Sequence, residues 1–370
     1  MANLGKSSDS ELAPKKQVFH LLGIVSPLQF LIGVIVAFIA GAVFLLIFQT
    51  NPITVYGALI QGALGSKRTV AETLLSTTPL ILGGLAVAVG FRCGLFNMGV
   101  EGAIDMGGMV AAYIGYAWVL PPGIHLVVAL LGGMLAGAVL GGIPGYLKAR
   151  FRIHEVITTI MLNYIVYAIS DYMVTVGGPM KDVGQLPQSP KILASATLAR
   201  IWPGTRLSAG IFIALGVAFL VWVLLFRTRL GYKMRAVGFN ADAAEYSGIS
   251  SKRMIVIAML ISGSLGGLAG AVEVLGLHYR FYASFNPGYG WDAIAVSLLG
   301  LNHPVGVVMA ALLFGALHSG STALQMVAHI SKDMVLILSA LIIFFTAMNQ
   351  SLRPLLERLV LRFSNRFKGK

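Results

Sequence analysis

Long apolar runs separated by short polar stretches recur along most of the 370-residue chain, and no other feature restricts its fold as strongly. Runs at 27–48, 70–91, 97–119, 124–147, 155–176, 207–226, 254–276, 304–321 and 333–349 reach or approach the length of a membrane-crossing helix. A helix rises about 1.5 Å per residue, so roughly 20 residues span the hydrocarbon core. A tenth run, 289–301, is too short for one crossing and is followed by Pro304, so it reads as a half-helix or a re-entrant piece. Composition excludes the soluble alternative. The chain is 57% hydrophobic and 11% charged, against about 25% charged in ordinary soluble domains. Too little polar surface is left to cover so much carbon. The expected fold is an all-α polytopic membrane protein with about ten transmembrane helices.

Residues 1–26 read as a cytoplasmic tail and not as a cleaved signal, because the first apolar run is too long for a signal core. Ser26 can cap the helix that Pro27 starts. The transmembrane domain then occupies 27–350, and 351–370 form a basic cytoplasmic tail. With both termini inside, nineteen of the 27 Lys and Arg residues fall on inner segments and eight on outer ones. That is the positive-inside bias. It accounts for the net charge of +13 through an anionic membrane surface, without nucleic acid.

An internal repeat is visible. GGLAVAV at 83–89 matches GGLAGAV at 266–272, and FNMGVEGAI at 96–104 answers FNPGYGWDAI at 285–294. Asn97 thus pairs with Asn286 and Glu101 with Asp292. In the ten-span topology the copies run in opposite directions, with halves at roughly 70–176 and 254–349. Inverted repeats of this kind place a transport site near the bilayer midplane. Recurrence of small residues in close-packed membrane helices is the competing explanation.

No GxxxxGK[ST] phosphate loop is present, so the chain does not itself hydrolyse ATP. No HExxH motif, Ser/His/Asp arrangement or Cys/His spacing points to catalysis or a metal, and the single cysteine, Cys93, cannot form an internal disulfide. The seven histidines sit singly near span ends and read as interfacial. Buried charge is more informative. Glu101, Asp105, Asp171, Glu273 and Asp292 fall in or near apolar runs. A carboxylate there costs about 2.5–3.5 kcal/mol unless it faces a partner or a cavity. Glu101 and Asp105 share one helix face. The two FN-x-G breaks would present free backbone amides to a solute, with Phe96, Asn97, Phe285, Asn286 and Asp292 beside them. Trp291 reads more readily as an interfacial aromatic.

The inner loop 227–253 carries a second pattern. Asn240 can cap a short helix over 241–246, Asp242 suits its first turn, and Gly248 can end it. With Gly238, Ala243, Ala244 and Tyr246 it forms a candidate docking element, the alternative being a helix lying on lipid headgroups.

Four stretches, GLFNMGVEGAIDMGGMVAAY (94–113), HEVITTIMLNYI (154–165), MRAVGFNADAAEYSGIS (234–250) and GYGWDAIAVSLLGLNHPVGVVMAALLFG (288–315), carry a family resemblance. They resemble permeases of the branched-chain amino acid/ribose superfamily of ABC importers, in the simple-sugar and nucleoside branch, over about 30–350. Ala103 stands where that branch usually has glutamine. Asn163, in the second stretch, joins the expected solute pathway. The resemblance implies a bacterial inner-membrane permease for nucleosides or simple sugars, paired with a second related permease or a copy of itself. It also implies a separate ATP-binding subunit, which holds ATP and magnesium and docks on the 238–248 segment, and a substrate-binding lipoprotein or periplasmic protein. The chain would bind no cofactor of its own. The competing expectations are a proton-coupled secondary transporter using the intramembrane carboxylates and, without a catalytic constellation to support it, an intramembrane enzyme.

Overall fold

A computed structural model describes residues 35–36, 38–47 and 49–327, with 337, 340, 341 and 344. The expected tails, the Ser26–Pro27 helix start and most of the 333–349 run lie outside the described residues. The described chain is helical, with isolated β-bridges joining Gln188 to Tyr282 and Arg200 to Ser208. Tyr56–His329 forms one compact unit, and the short helix α1 (Phe38–Ile47) belongs to another.

The helices follow in order as α2 (Pro52–Leu64), α3 (Lys67–Arg92), α4 (Val100–Ala117), α5 (Ile124–Phe151), α6 (Glu155–Val174), α7 (Gly210–Arg227), α8 (Arg229–Phe239), α9 (Ala241–Tyr246), α10 (Ser251–Glu273), α11 (Tyr289–Leu299) and α12 (Pro304–Val327). Six helical stretches among the described residues are long and apolar enough to cross a bilayer: α3, α5, α6, α7, α10 with its continuation to His278, and the first 18 residues of α12. At 11 residues, α11 is too short to cross, as the sequence led us to expect.

Two helices arise where the sequence reading had none. Asn51 starts α2 by accepting from Ile53 N at 2.9 Å, and its 13 residues are too few for one crossing. In the 227–253 loop, Thr228 caps α8 by accepting from Gly231 N at 3.1 Å. Gly231, Met234 and Val237 recur three apart and bury one face of α8, while Arg229 and Lys233 are exposed and the half-buried Arg235 lies over the Phe226 ring at 5.1 Å.

The middle of the unit is built around α3 and α10. From Leu80 to Gly90 every residue of α3 is buried, as expected for a helix apolar all round. The α5–α10 seam is closer still. A Cβ on Gly137 would lie 2.2 Å from Gly263 O, and one on Gly267 would lie 2.2 Å from Gly133 O. Lipid supplies no hydrophobic drive between helices, so such backbone-to-backbone packing supplies the dispersion that holds them. By contrast α6 and α7 present Ile157, Met161, Phe212 and Phe219 outward, the faces of helices solvated by lipid or by another subunit.

Candidate functional site

Each FN-x-G break is folded by its own asparagine. Asn97 Oδ1 accepts from Gly99 N at 2.8 Å. Asn286 Oδ1 accepts from Gly288 N at 3.1 Å and from Tyr289 N at 3.0 Å. Both side chains therefore replace the intrahelical bonds that the break has removed, just before α4 and α11 begin.

The first break is held from several sides. Asn97 Nδ2 donates to Ser262 Oγ of α10 at 2.8 Å, and Ser262 Oγ donates to Ala86 O of α3 at 2.6 Å. Asn163 of α6 donates through Nδ2 to Met98 O at 2.9 Å and accepts at Oδ1 from Gly102 N at 3.0 Å. Phe96 N donates to Glu155 Oε1 at 3.3 Å, and the other carboxyl oxygen is paired with Lys148. Asn163 is therefore a clamp on the break, with both ends of its amide engaged.

The two breaks meet at Glu101. Gly290 N donates to Glu101 Oε2 at 2.6 Å. A Cβ on Gly290 would lie 2.4 Å from Glu101 Cα, so only glycine lets α11 approach α4 this closely. The Asn286 side chain lies against both the Glu101 and Asp105 carboxyls, and Tyr167 stands beside Glu101 and Trp291. Yet Asp105 Oδ1 and Asn286 Nδ2 are buried without a hydrogen-bond partner. An acceptor and a donor left unspent in an apolar interior are costly. Such groups persist where a polar guest or water completes them.

The remaining expected residues divide. Phe285 is buried against Gly108 of α4 and packs on Phe281 at 5.1 Å between centroids, so it is a wall and not a free stacking face. Asp292 Oδ2 is hydrogen-bonded to His318 Nε2 of α12 at 2.8 Å. This pairing escaped the sequence because 26 residues separate the partners. Two more histidines have side-chain partners. His125 bonds Ser195 Oγ at 2.7 Å, and His278 bonds the Tyr282 hydroxyl at 3.2 Å. Asp171 is exposed on α6. Among the described residues no group of three or more His, Cys, Asp or Glu gathers as a metal site.

The 227–253 loop forms the expected short helix, α9. Asn240 Oδ1 accepts from Ala243 N at 2.9 Å, and Gly248 ends the helix with φ +79°. Ala244 is buried beneath α9, whereas Asp242, Ala243 and Tyr246 face outward. Phe239 and Tyr246, 86% and 94% exposed, flank the helix as two projecting aromatic rings. Gly238, at the end of α8, lies against the turn that leads into the first break. Its Cβ position is 2.3 Å from Arg92 O, and the Cβ position of Gly94 is 3.3 Å from Gly238 Cα. Burial pushes the neighbouring Cys93 thiol up to about 12.

Comparison with known proteins adds sequence relatives. The family model for the permease component of branched-chain amino acid transport systems matches residues 69–347. The guanosine ABC transporter permease protein NupP of Bacillus subtilis is 40% identical over 90% of this chain and 97% of its own length. The nucleoside ABC transporter permease protein NupB of Lactococcus lactis is 35% identical over 89% and 92%. The glucose ABC transporter permease protein TsgB13 of Haloferax volcanii is 32% identical over 90% of each. No solved structure gives a significant match.

Proposed function

Since the chain belongs to the family of branched-chain amino acid transport system permease components, we propose that it is the membrane-spanning subunit of an ABC importer for nucleosides. It is a multi-pass membrane protein and not an enzyme; hydrolysis of ATP, with its magnesium, belongs to a partner subunit. The observation that carries the substrate reading is the junction of the two breaks at Glu101, with Asp105 Oδ1 and Asn286 Nδ2 unspent beside it. Vicinal ring hydroxyls are the guests that suit a carboxylate next to a carboxamide, since each hydroxyl both donates and accepts. Guanosine and glucose, the solutes named for the relatives, share such hydroxyls. Tyr167 and Trp291 supply aromatic surface on which a planar base could stack, which favours nucleosides over simple sugars.

Phe96, Asn97, Glu101, Asp105, Asn163, Phe285, Asn286 and Asp292 form the solute pathway in this reading, with Phe96, Asn163 and Phe285 as its supports. The halves at roughly 70–176 and 254–349 are inverted copies, re-entrant at the FN-x-G breaks, in a fold of about ten spans. Reciprocal packing supports this. A Cβ on Gly83, from the first repeat, would lie 3.0 Å from Ala293 Cβ, and one on Gly266, from the second, 2.9 Å from Ala103 Cβ. Each GG motif thus packs on the helix that follows the other copy's break.

Segment 238–248, within the 227–253 loop, is the cytoplasmic dock for the ATP-binding subunit, through Gly238, Asn240, Asp242, Ala243, Ala244, Tyr246 and Gly248. The chain sits in a bacterial inner membrane with both termini on the cytoplasmic side. A second related permease or a second copy completes the pore, and a binding lipoprotein or periplasmic protein delivers the solute. The test is uptake of labelled guanosine into vesicles holding the chain with those partners. ATP-dependent uptake competed by nucleosides and not by glucose is expected. Uptake driven by a proton gradient without the ATP-binding subunit would overturn the reading.

A further inference from the structure

Beyond the last close contact of the α5–α10 seam, where a Cβ on Gly145 would lie 2.7 Å from Met259 Cβ, the two helices leave a groove of about 360 Å³. Tyr146 and Ala149 of α5 and Val256 and Ile257 of α10 give it an apolar wall. Arg150, Lys252 and Arg253 stand around it. None of the three is ion-paired among the described residues; the Arg150 guanidinium lies over the Phe151 ring at 5.9 Å.

The cations are placed where a helix alone would not favour them. Ser250 caps α10, so Lys252 and Arg253 fall in its first turn, which carries no acidic residue. The positive end of a helix dipole repels cations and attracts anions. An anion seated there would offset the dipole and three side-chain charges together. The same end of the bundle holds Lys148 and Arg152, so this is the strongly basic, inner-leaflet side in the placement proposed above.

We propose that the groove is a binding site for an anionic diacyl phospholipid, whose phosphodiester lies among Arg150, Lys252 and Arg253 and whose acyl chain runs along Tyr146, Val256 and Ile257. A free phosphate would leave the apolar wall unfilled, and a zwitterionic lipid would bring its own cation to the three already there. Basic pockets between membrane helices on the cytoplasmic side bind anionic headgroups for this reason.

The purified full chain in phosphatidylcholine nanodiscs doped with phosphatidylglycerol provides the test, read by native mass spectrometry of retained lipid. Wild type retains phosphatidylglycerol over phosphatidylcholine. The triple variant Arg150→Gln, Lys252→Gln, Arg253→Gln weakens that retention on the order of a hundredfold, from the increment per cation at a membrane surface. Ile257→Trp, which fills the groove and keeps every charge, also lowers it, with Ile257→Phe as the milder filler if the first variant misfolds. Melting temperature in pure phosphatidylcholine checks that each variant is folded. Retention unchanged by a folded groove filler would overturn the proposal, because charge alone would then explain the binding. Displacement by inorganic phosphate would overturn it in favour of a free anion. Loss of permease–permease cross-linking with phosphatidylglycerol still bound would overturn it in favour of a protein interface.

Discussion

Replacing Gly238 by alanine adds one carbon at the place where the 227–253 loop touches the end of α3. That carbon would sit 2.3 Å from Arg92 O and 3.0 Å from the carbonyl carbons of Arg92 and Cys93. These are backbone atoms, so no side chain can rotate away. Ordinary contact requires the end of α8 and the 92–94 turn to separate by about 1 Å. Overpacking of this sort costs about 1–3 kcal/mol, and alanine returns about 1 kcal/mol by favouring the helix. The net cost of up to about 2 kcal/mol falls on one contact and not on the fold, and 1.4 kcal/mol is about a factor of ten in an equilibrium. If α9 passes its movement to the FN-x-G break through this contact, Gly238→Ala should retain ATPase activity in the assembled importer. The ratio of solute imported to ATP hydrolysed should fall by up to about thirtyfold. Gly216→Ala on α7 is the control, since nothing lies within 4 Å of its Cβ position. An unchanged ratio in folded, inserted Gly238→Ala would refute the coupling route.

Glu101→Gln keeps an oxygen for Gly290 N, so it should assemble normally yet lose most uptake, measured as guanosine import per inserted protein. Glu101→Ala should also lower thermal stability, by about 1–3 kcal/mol for the stranded amide; equal melting temperatures for the two variants would count against that bond. Cys93 should react with a maleimide about three orders of magnitude more slowly than a free thiol, because burial keeps it protonated. Rapid labelling of the wild type would show that the 92–94 turn is open. Gly137→Leu should abolish folded protein in a detergent-extraction and gel-filtration assay, since the seam has no room even for a Cβ. Glu72→Gln, which breaks the 2.6 Å pair with Arg206, should cost only about 0–1 kcal/mol because the arginine is well exposed; a larger drop in melting temperature would contradict this.

Much of the architecture is local and was legible in the residues. Apolar runs of span length become α3, α5, α6, α7, α10 and α12 because a backbone in lipid has to bond to itself. Asn240 and Gly248 bound α9 because caps act over three or four residues. The asparagines that fold the two breaks act equally locally, so the kinship of FNMG and FNPG was visible without a structure.

The site itself was only half legible. Which carboxylates meet depends on contacts across 189 residues, as between Gly290 and Glu101. Sequence placed Asp171 and Asp105 on the same footing, yet one is exposed and the other is buried with an unspent oxygen. His318 looked solitary until α12 brought it to Asp292. Periodicity tells which face of a helix is apolar but not which neighbour it meets. Here the choice of neighbour was made by glycines, whose missing side chains let particular backbones touch and so decide which polar groups meet.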